Sequence, residues 1–201
     1  MNLSASDITT LHDRLVTLWH EDDHAESGVG VDPILNRVAR QHRANFELWH
    51  IEDEARRPGA TNAELAEVKR RIDATNQRRN DAVEDLDRAL LEDLAAKNLP
   101  APGAVLHSET PGLMIDRLSI LSLKIYHTRE ESCRDNAPAG HAERNCERLV
   151  ILEEQRNDLA HCLDTLWSDI LAGKRRFKLY RQMKMYNDPS LNPAIYGKSP
   201  K

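Results

Sequence analysis

Histidines and carboxylates at helical spacing are the groups in this chain best suited to chemistry. The stretch LWHEDDH, residues 18–24, sets His20, Glu21 and His24 in the H-E-x-x-H order. On a helix that order turns two imidazoles toward one metal ion and leaves the glutamate as a base. A related stretch, LWHIED at 48–53, repeats the opening without a second histidine. A protease of this type needs a third ligand downstream and a sheet beside the helix. Here the stretch closes the first helix just before SGVG (27–30), and two aspartates between the histidines suit a solvated helix end. The match is therefore read as fortuitous. Trp19 becomes a packing anchor with His20 as its polar partner, and no residue is assigned as a metal ligand.

A second constellation comes from laying the chain on itself with a shift of 77 residues. Arg40 then meets Arg117, His50 meets His127, Arg71 meets Arg148, and the triplet Arg79, Asn80, Asp81 meets Arg156, Asn157, Asp158. Both apolar stripes that carry these triplets are interrupted by an arginine at the same place. A guanidinium aimed at a core is costly unless a carboxylate meets it. The facing helices offer His50, Glu52 and Asp53, and His127 and Glu130, at spacings that share a face. With Asp116 and Arg117 these residues form a candidate polar layer across a bundle. It is either a ligand site or a buried ion network that fixes register.

The elements that must hold such a layer are helices. Charged residues make up 30% of 201 residues and aromatics 4%, a helical composition in which no strands are expected. Ser4 with Asp7 and Thr61 with Glu64 read as capping boxes, and Asp32-Pro33 and Thr110-Pro111 as caps before a first-turn proline. Helices are expected near 5–25, 33–57, 62–97, 111–132 and 140–172, with a shorter basic one near 174–186. The expected fold is all-α: a duplicated helical hairpin (33–97 and 111–172) forming a pseudo-symmetric four-helix bundle, with an extra N-terminal helix and a basic C-terminal helix and tail. One domain accounts for the length.

Three cysteines without C-x-x-C spacing argue against a disulfide framework or zinc ribbon and fit a reducing cytoplasm. No leader pattern or membrane span is read in the chain. Net charge is −5, but residues 173–201 carry +7 against −12 in the rest. In that tail Arg175, Arg176, Lys178, Arg181 and Lys184 interleave with aromatics and form a candidate anion site; packing of the aromatics back onto the body is the alternative. The acidic body disfavours nucleic acid as a partner.

The segments LWHIEDEAR, IDATNQRRNDAVEDLD, ETPGLMIDRLSILSLKIYH and KMYNDPSLNPAIYG resemble, in this order and over nearly the whole chain, the bacterial proteins of domain-of-unknown-function family 4254. The resemblance implies a setting beside genes for envelope glycan assembly and supplies no catalytic residues. The segment ETPGLMIDRLSIL is also similar to a motif in another uncharacterised family from similar settings, which implies that Glu109, Gly112, Asp116 and Arg117 form a recurring helix-start element. The expected function is a non-catalytic or small-ligand-binding accessory to that metabolism, with a phosphorylated sugar or nucleotide as partner; cofactor use is open and a homodimer is compatible with the unrepeated first helix. The rival reading is a metal-dependent all-α nucleotide pyrophosphohydrolase, for which Glu84 and Asp87 give an E-x-x-D pair facing Glu52, Asp53 and Glu54.

Overall fold

Five helix starts are written locally, and four are closed by side chains. In the computed structural model, which describes residues 3–183 and 189–191, these starts open α1 (Ala5–Glu21), α2 (Pro33–Ala55), α3 (Asn62–Ala95), α4 (Pro111–Ser132) and α5 (His141–Leu171). Ser4 accepts the amide of Asp7, and Asp32 accepts those of Ile34 and Leu35. Thr61 and Glu64 close a full capping box, and Thr110 accepts from Leu113. Each satisfies a backbone donor that the first helical turn leaves unpaired. α5 instead follows Gly140, whose φ of 73° suits a residue without Cβ.

α2 lies against α3 and α4 against α5, as two antiparallel hairpins. α1 is no appendage. Its residues Ile8, Leu11, Leu15, Val16 and Trp19 recur at helical spacing, are buried, and pack against α2, α4 and α5. The apolar centre is completed by Leu86, Leu90, Ile115, Leu118, Leu163 and Ile170, each fully buried. Each such side chain contributes about 2 kcal/mol of transfer free energy.

Helices α2 and α4 run side by side in the same direction. Gln41 meets Asp116, His42 meets Ser119, and the rings of His50 and His127 lie 5.9 Å apart, so the contacts advance together along both helices.

Two expectations are corrected. A strand pair does form: β1 (Val105–Leu106) and β2 (Arg175–Arg176) pair in parallel. The basic helix near 174–186 does not form over 174–183. Gly173, at φ 73°, ends α5, and the backbone beyond it bonds outward instead of along a helix. Val105 donates to the carbonyl of Lys174 and His107 to that of Arg176. Phe177 is then buried in the core. The short α1 has a similar cause, because Asp22 takes up extended geometry and stops the helix at Glu21.

Candidate metal centre

Three aromatic-histidine doublets, Trp19-His20 on α1, Trp49-His50 on α2 and Tyr126-His127 on α4, stand at one end of the bundle. Each histidine is partly buried, and one ring nitrogen from each lies within 4.8 Å of those of the other two. An ion about 2 Å from each nitrogen would require each ring to move by under about 1 Å. Neighbouring helices supply the aromatic packing. Tyr126 stacks on His20 at 4.3 Å, Trp49 stacks on His127 at 4.9 Å, and Phe46 sets its edge against His20 and His50 at 5.0 and 4.5 Å.

The ring nitrogens are sorted by their hydrogen bonds. Nδ1 of His20 lies 2.7 Å from the carbonyl of Val16, one turn back, and can only donate to it. Nδ1 of His127 donates to Glu130 Oε2 at 2.9 Å. Both contacts place the proton on Nδ1 and leave Nε2 with its lone pair. Nε2 of His20 and Nε2 of His127 are buried and, among the described residues, meet no hydrogen-bond partner. A buried acceptor without a partner costs about 1–3 kcal/mol. An imidazole held through one nitrogen by a carbonyl or carboxylate, with the other free, is the usual state of a metal ligand.

Electrostatics favour the neutral form that metal binding needs. Burial lowers the pKa of His50, and His20 and His127 lower it further, against a smaller opposing effect of Asp53 and Asp23. Burial lowers His127 too, with Glu130 acting against it.

A cleft of about 700 Å³ opens beside His20 and His50, between α1, α2 and α3. Its three arginines are neutralised in place. Arg43 meets Asp23 at 2.7 Å and Glu47 at 3.0 Å, Arg78 meets Glu47 at 2.6 Å, and Arg71 grips Glu54 through two bonds of 2.6 and 2.9 Å. The cleft is lined by equal numbers of opposite charges, and among the described residues Nε2 of His20 and one terminal nitrogen of Arg43 are its buried polar atoms without a partner.

The polar layer read from sequence is not one constellation. His50 and His127 meet, with Glu130 behind His127. Arg79 turns instead to Asp116, as an ion pair at 3.8 Å, while Asn45 and Gln41 donate hydrogen bonds to the buried carboxylate. Burial raises the pKa of Asp116, and Arg79 acts against it. Arg156 leaves the bundle middle and pairs with Asp13 of α1 at 2.8 Å. Asn80 is buried, whereas Asp81, Asn157 and Asp158 are exposed. Glu52 and Asp53 pair with Arg56 at the surface, and Arg117 reaches Glu109 at 2.8 Å.

In the tail, Arg176 donates through Nε to the carbonyl of Ala104, while Arg175, Lys178 and Arg181 are exposed; Lys184 lies outside the described residues. Asp87, an element of the pyrophosphohydrolase reading, accepts the Thr110 hydroxyl and the Gly112 amide at the start of α4. Glu84 accepts the amide of Gln182. Both carboxylates are thus engaged by the protein.

His20 is the site residue that sequence reasoning set aside. His24 lies beyond the end of α1 and is not one of the three histidines that come together. The useful signal was the aromatic-histidine doublet, present three times on three helices.

A family model described as "Protein of unknown function (DUF4254)" matches residues 35–179. The chain belongs to this family. His50 and His127 lie within the matched span, and His20 precedes it. No curated protein and no solved structure matches the chain.

Proposed function

We propose that this DUF4254 protein binds a divalent transition metal through His20, His50 and His127 and uses it to hold a small polar molecule in the adjoining cleft. The observation that carries the reading is the pair of buried Nε2 atoms without partners, on rings whose Nδ1 atoms are already engaged. All-nitrogen ligation suits zinc, copper, nickel or iron rather than magnesium or calcium. Three neutral imidazoles leave the ion its full charge and an open position, where it can polarise a ligand oxygen or acidify a water. The resemblance to proteins encoded beside envelope glycan genes supports a phosphorylated sugar or nucleotide as that ligand. Three exposed, unpaired cysteines support a reducing, cytoplasmic setting.

The test is elemental analysis of protein purified without a metal-affinity tag, followed by calorimetric titration of the apo form with Zn²⁺. About one equivalent, lost in His50→Ala and His127→Ala, is the expected result. A chain that neither carries a transition metal nor takes one up at micromolar concentration would sink the reading.

We also propose that the two hairpins are copies of one unit. Support comes from the helix limits, since α2 moved along by 77 covers 110–132 against 111–132 for α4, and α3 covers 139–172 against 141–171 for α5.

A further inference from the structure

Two clefts sit at corresponding places on the two hairpins. The first, about 450 Å³ between α2 and α3, is lined by Arg40, Arg43, Ala44, Arg78, Asp81, Ala82 and Asp85. Every one of these positions, moved along by 77, lines the second cleft, about 710 Å³ between α4 and α5. Equivalent position does not mean equivalent chemistry.

In the first cleft the charges are consumed internally. Asp85 gathers Arg37, Arg40 and Arg88, Glu47 joins Arg43 to Arg78, and Gln77 donates to Asp81. In the second, most of this network is dismantled, with Arg117 and Asp158 alone keeping the residue types of Arg40 and Asp81. Cys162 stands for Asp85, Met114 for Arg37 and Thr165 for Arg88. Lys124 replaces Glu47 with the opposite charge, and its neighbours are Ile120 and Gln155 in place of the two arginines. Glu154 replaces Gln77 and cannot donate to Asp158. Arg117 pairs with Glu109 instead. Among the described residues no side-chain hydrogen bond or ion pair engages Lys124, Gln155 or Asp158, which are exposed and all line the cleft. Beneath them lies an apolar floor of Met114, Leu121 and Leu159.

We infer that the cleft between α4 and α5 is a second binding site, for a small molecule carrying an anionic group and a hydrogen-bond donor on an apolar frame. Lys124 takes the anion, Asp158 and Gln155 take an amine or hydroxyl, and the floor takes the hydrocarbon face. Opposite charges placed across an open cavity without contact leave room for a molecule that bridges them. A free amino acid and a phosphorylated sugar share this chemistry. The site is separate from the histidine cluster and does not depend on the metal reading.

Cys162 lines the cleft and is exposed, as are Cys133 and Cys146 outside it, so thiol alkylation followed by mass spectrometry provides a built-in comparison. The intact protein would be titrated calorimetrically with the common amino acids and, separately, with hexose phosphates. Alkylation at all three cysteines would be followed in parallel. The expected result is that one panel contains a binder that slows alkylation at Cys162 at least fivefold and leaves Cys133 and Cys146 unchanged. Lys124→Ala and Asp158→Asn should each weaken that binder at least tenfold, and His50→Ala should not. The panel that responds identifies the source of the ligand. Two outcomes overturn the inference: no protection of Cys162 by either panel at 5 mM (about the upper end of small-metabolite affinity), or binding that both cleft variants leave intact.

Discussion

His42 on α2 and Ser119 on α4 share a hydrogen bond of 2.7 Å in the fully buried middle of the protein. The other ring nitrogen of His42 lies 3.1 Å from the carbonyl of His12, to which it can only donate, so Ser119 donates to Nδ1. One imidazole thus ties three helices together, and it must be neutral to do so.

That neutrality predicts acid sensitivity. Burial holds His42 down at about 3 and lowers His12 well below its ordinary value. The unfolded chain takes up these protons near pH 6.5 and the native state does not, so the stability they contribute is present above pH 6.5 and is lost as pH falls toward 3. For His42 alone the full effect is on the order of 5 kcal/mol. Urea unfolding at pH 7.5, 5.5 and 4.5 should show a steep fall; equal midpoints at all three would contradict it.

His12 is fully buried and, among the described residues, neither ring nitrogen has a hydrogen-bond partner. An apolar group of similar size removes that desolvation penalty, so His12→Leu should stabilise the protein by about 1 kcal/mol and weaken the acid sensitivity. Thermal melts of the two forms decide. A marked loss of stability would mean that the imidazole makes a bond essential to the fold.

Asp87 is predicted to act in the opposite direction. Burial raises its pKa to about 6, against the bonds from Thr110 and Gly112 that favour the ion. Over the interval from about 4 to 6 the native state holds the proton and the unfolded chain does not, so this contribution to stability falls as pH rises. Its size is about 3 kcal/mol. Asp87→Asn should flatten this limb of the stability profile, measured relative to the parent between pH 4 and pH 7.

Gly112 is required by the same carboxylate. A Cβ at this position would lie 2.7 Å from Asp87 Oδ1. Gly112→Ala should therefore cost about 1–3 kcal/mol, and circular dichroism melts would register it. An unchanged melting temperature would show that the start of α4 shifts freely.

Glu130 orients His127 without reaching the proposed ion. Glu130→Gln should weaken metal binding by about 10–100-fold while leaving the fold intact. Competition against a chromophoric chelator measures it, and an affinity equal to that of the parent would remove Glu130 from the site.

The sequence was legible where the physics is local. Ser4, Asp32, Thr61 and Thr110 cap the helices they were expected to cap, because a cap is decided within four residues. The site was less legible because it is assembled from three helices. Arg79 and Arg156 interrupt their stripes alike, yet one turns to Asp116 on α4 and the other to Asp13 on α1, a choice fixed by neighbours far along the chain. The segment after α5 was misread because basic residues with helical propensity yield to the ladder offered by Val105 and His107.

Helix α1 finds its partners late. Its first amide donates to Asp164, and Asp13 binds Ser122 and Arg156, all in helices made more than a hundred residues afterward. These anchors of α1 therefore wait for the second hairpin, although α2 already meets α1 through His42, and completing its docking is a non-local step. His20 lies on α1 and His127 on α4, so the ligand set of the proposed centre is complete only once α4 has joined α1 and α2. A metal held there would tie the first helix to the second hairpin and, bound to the native state alone, act as a latch on it.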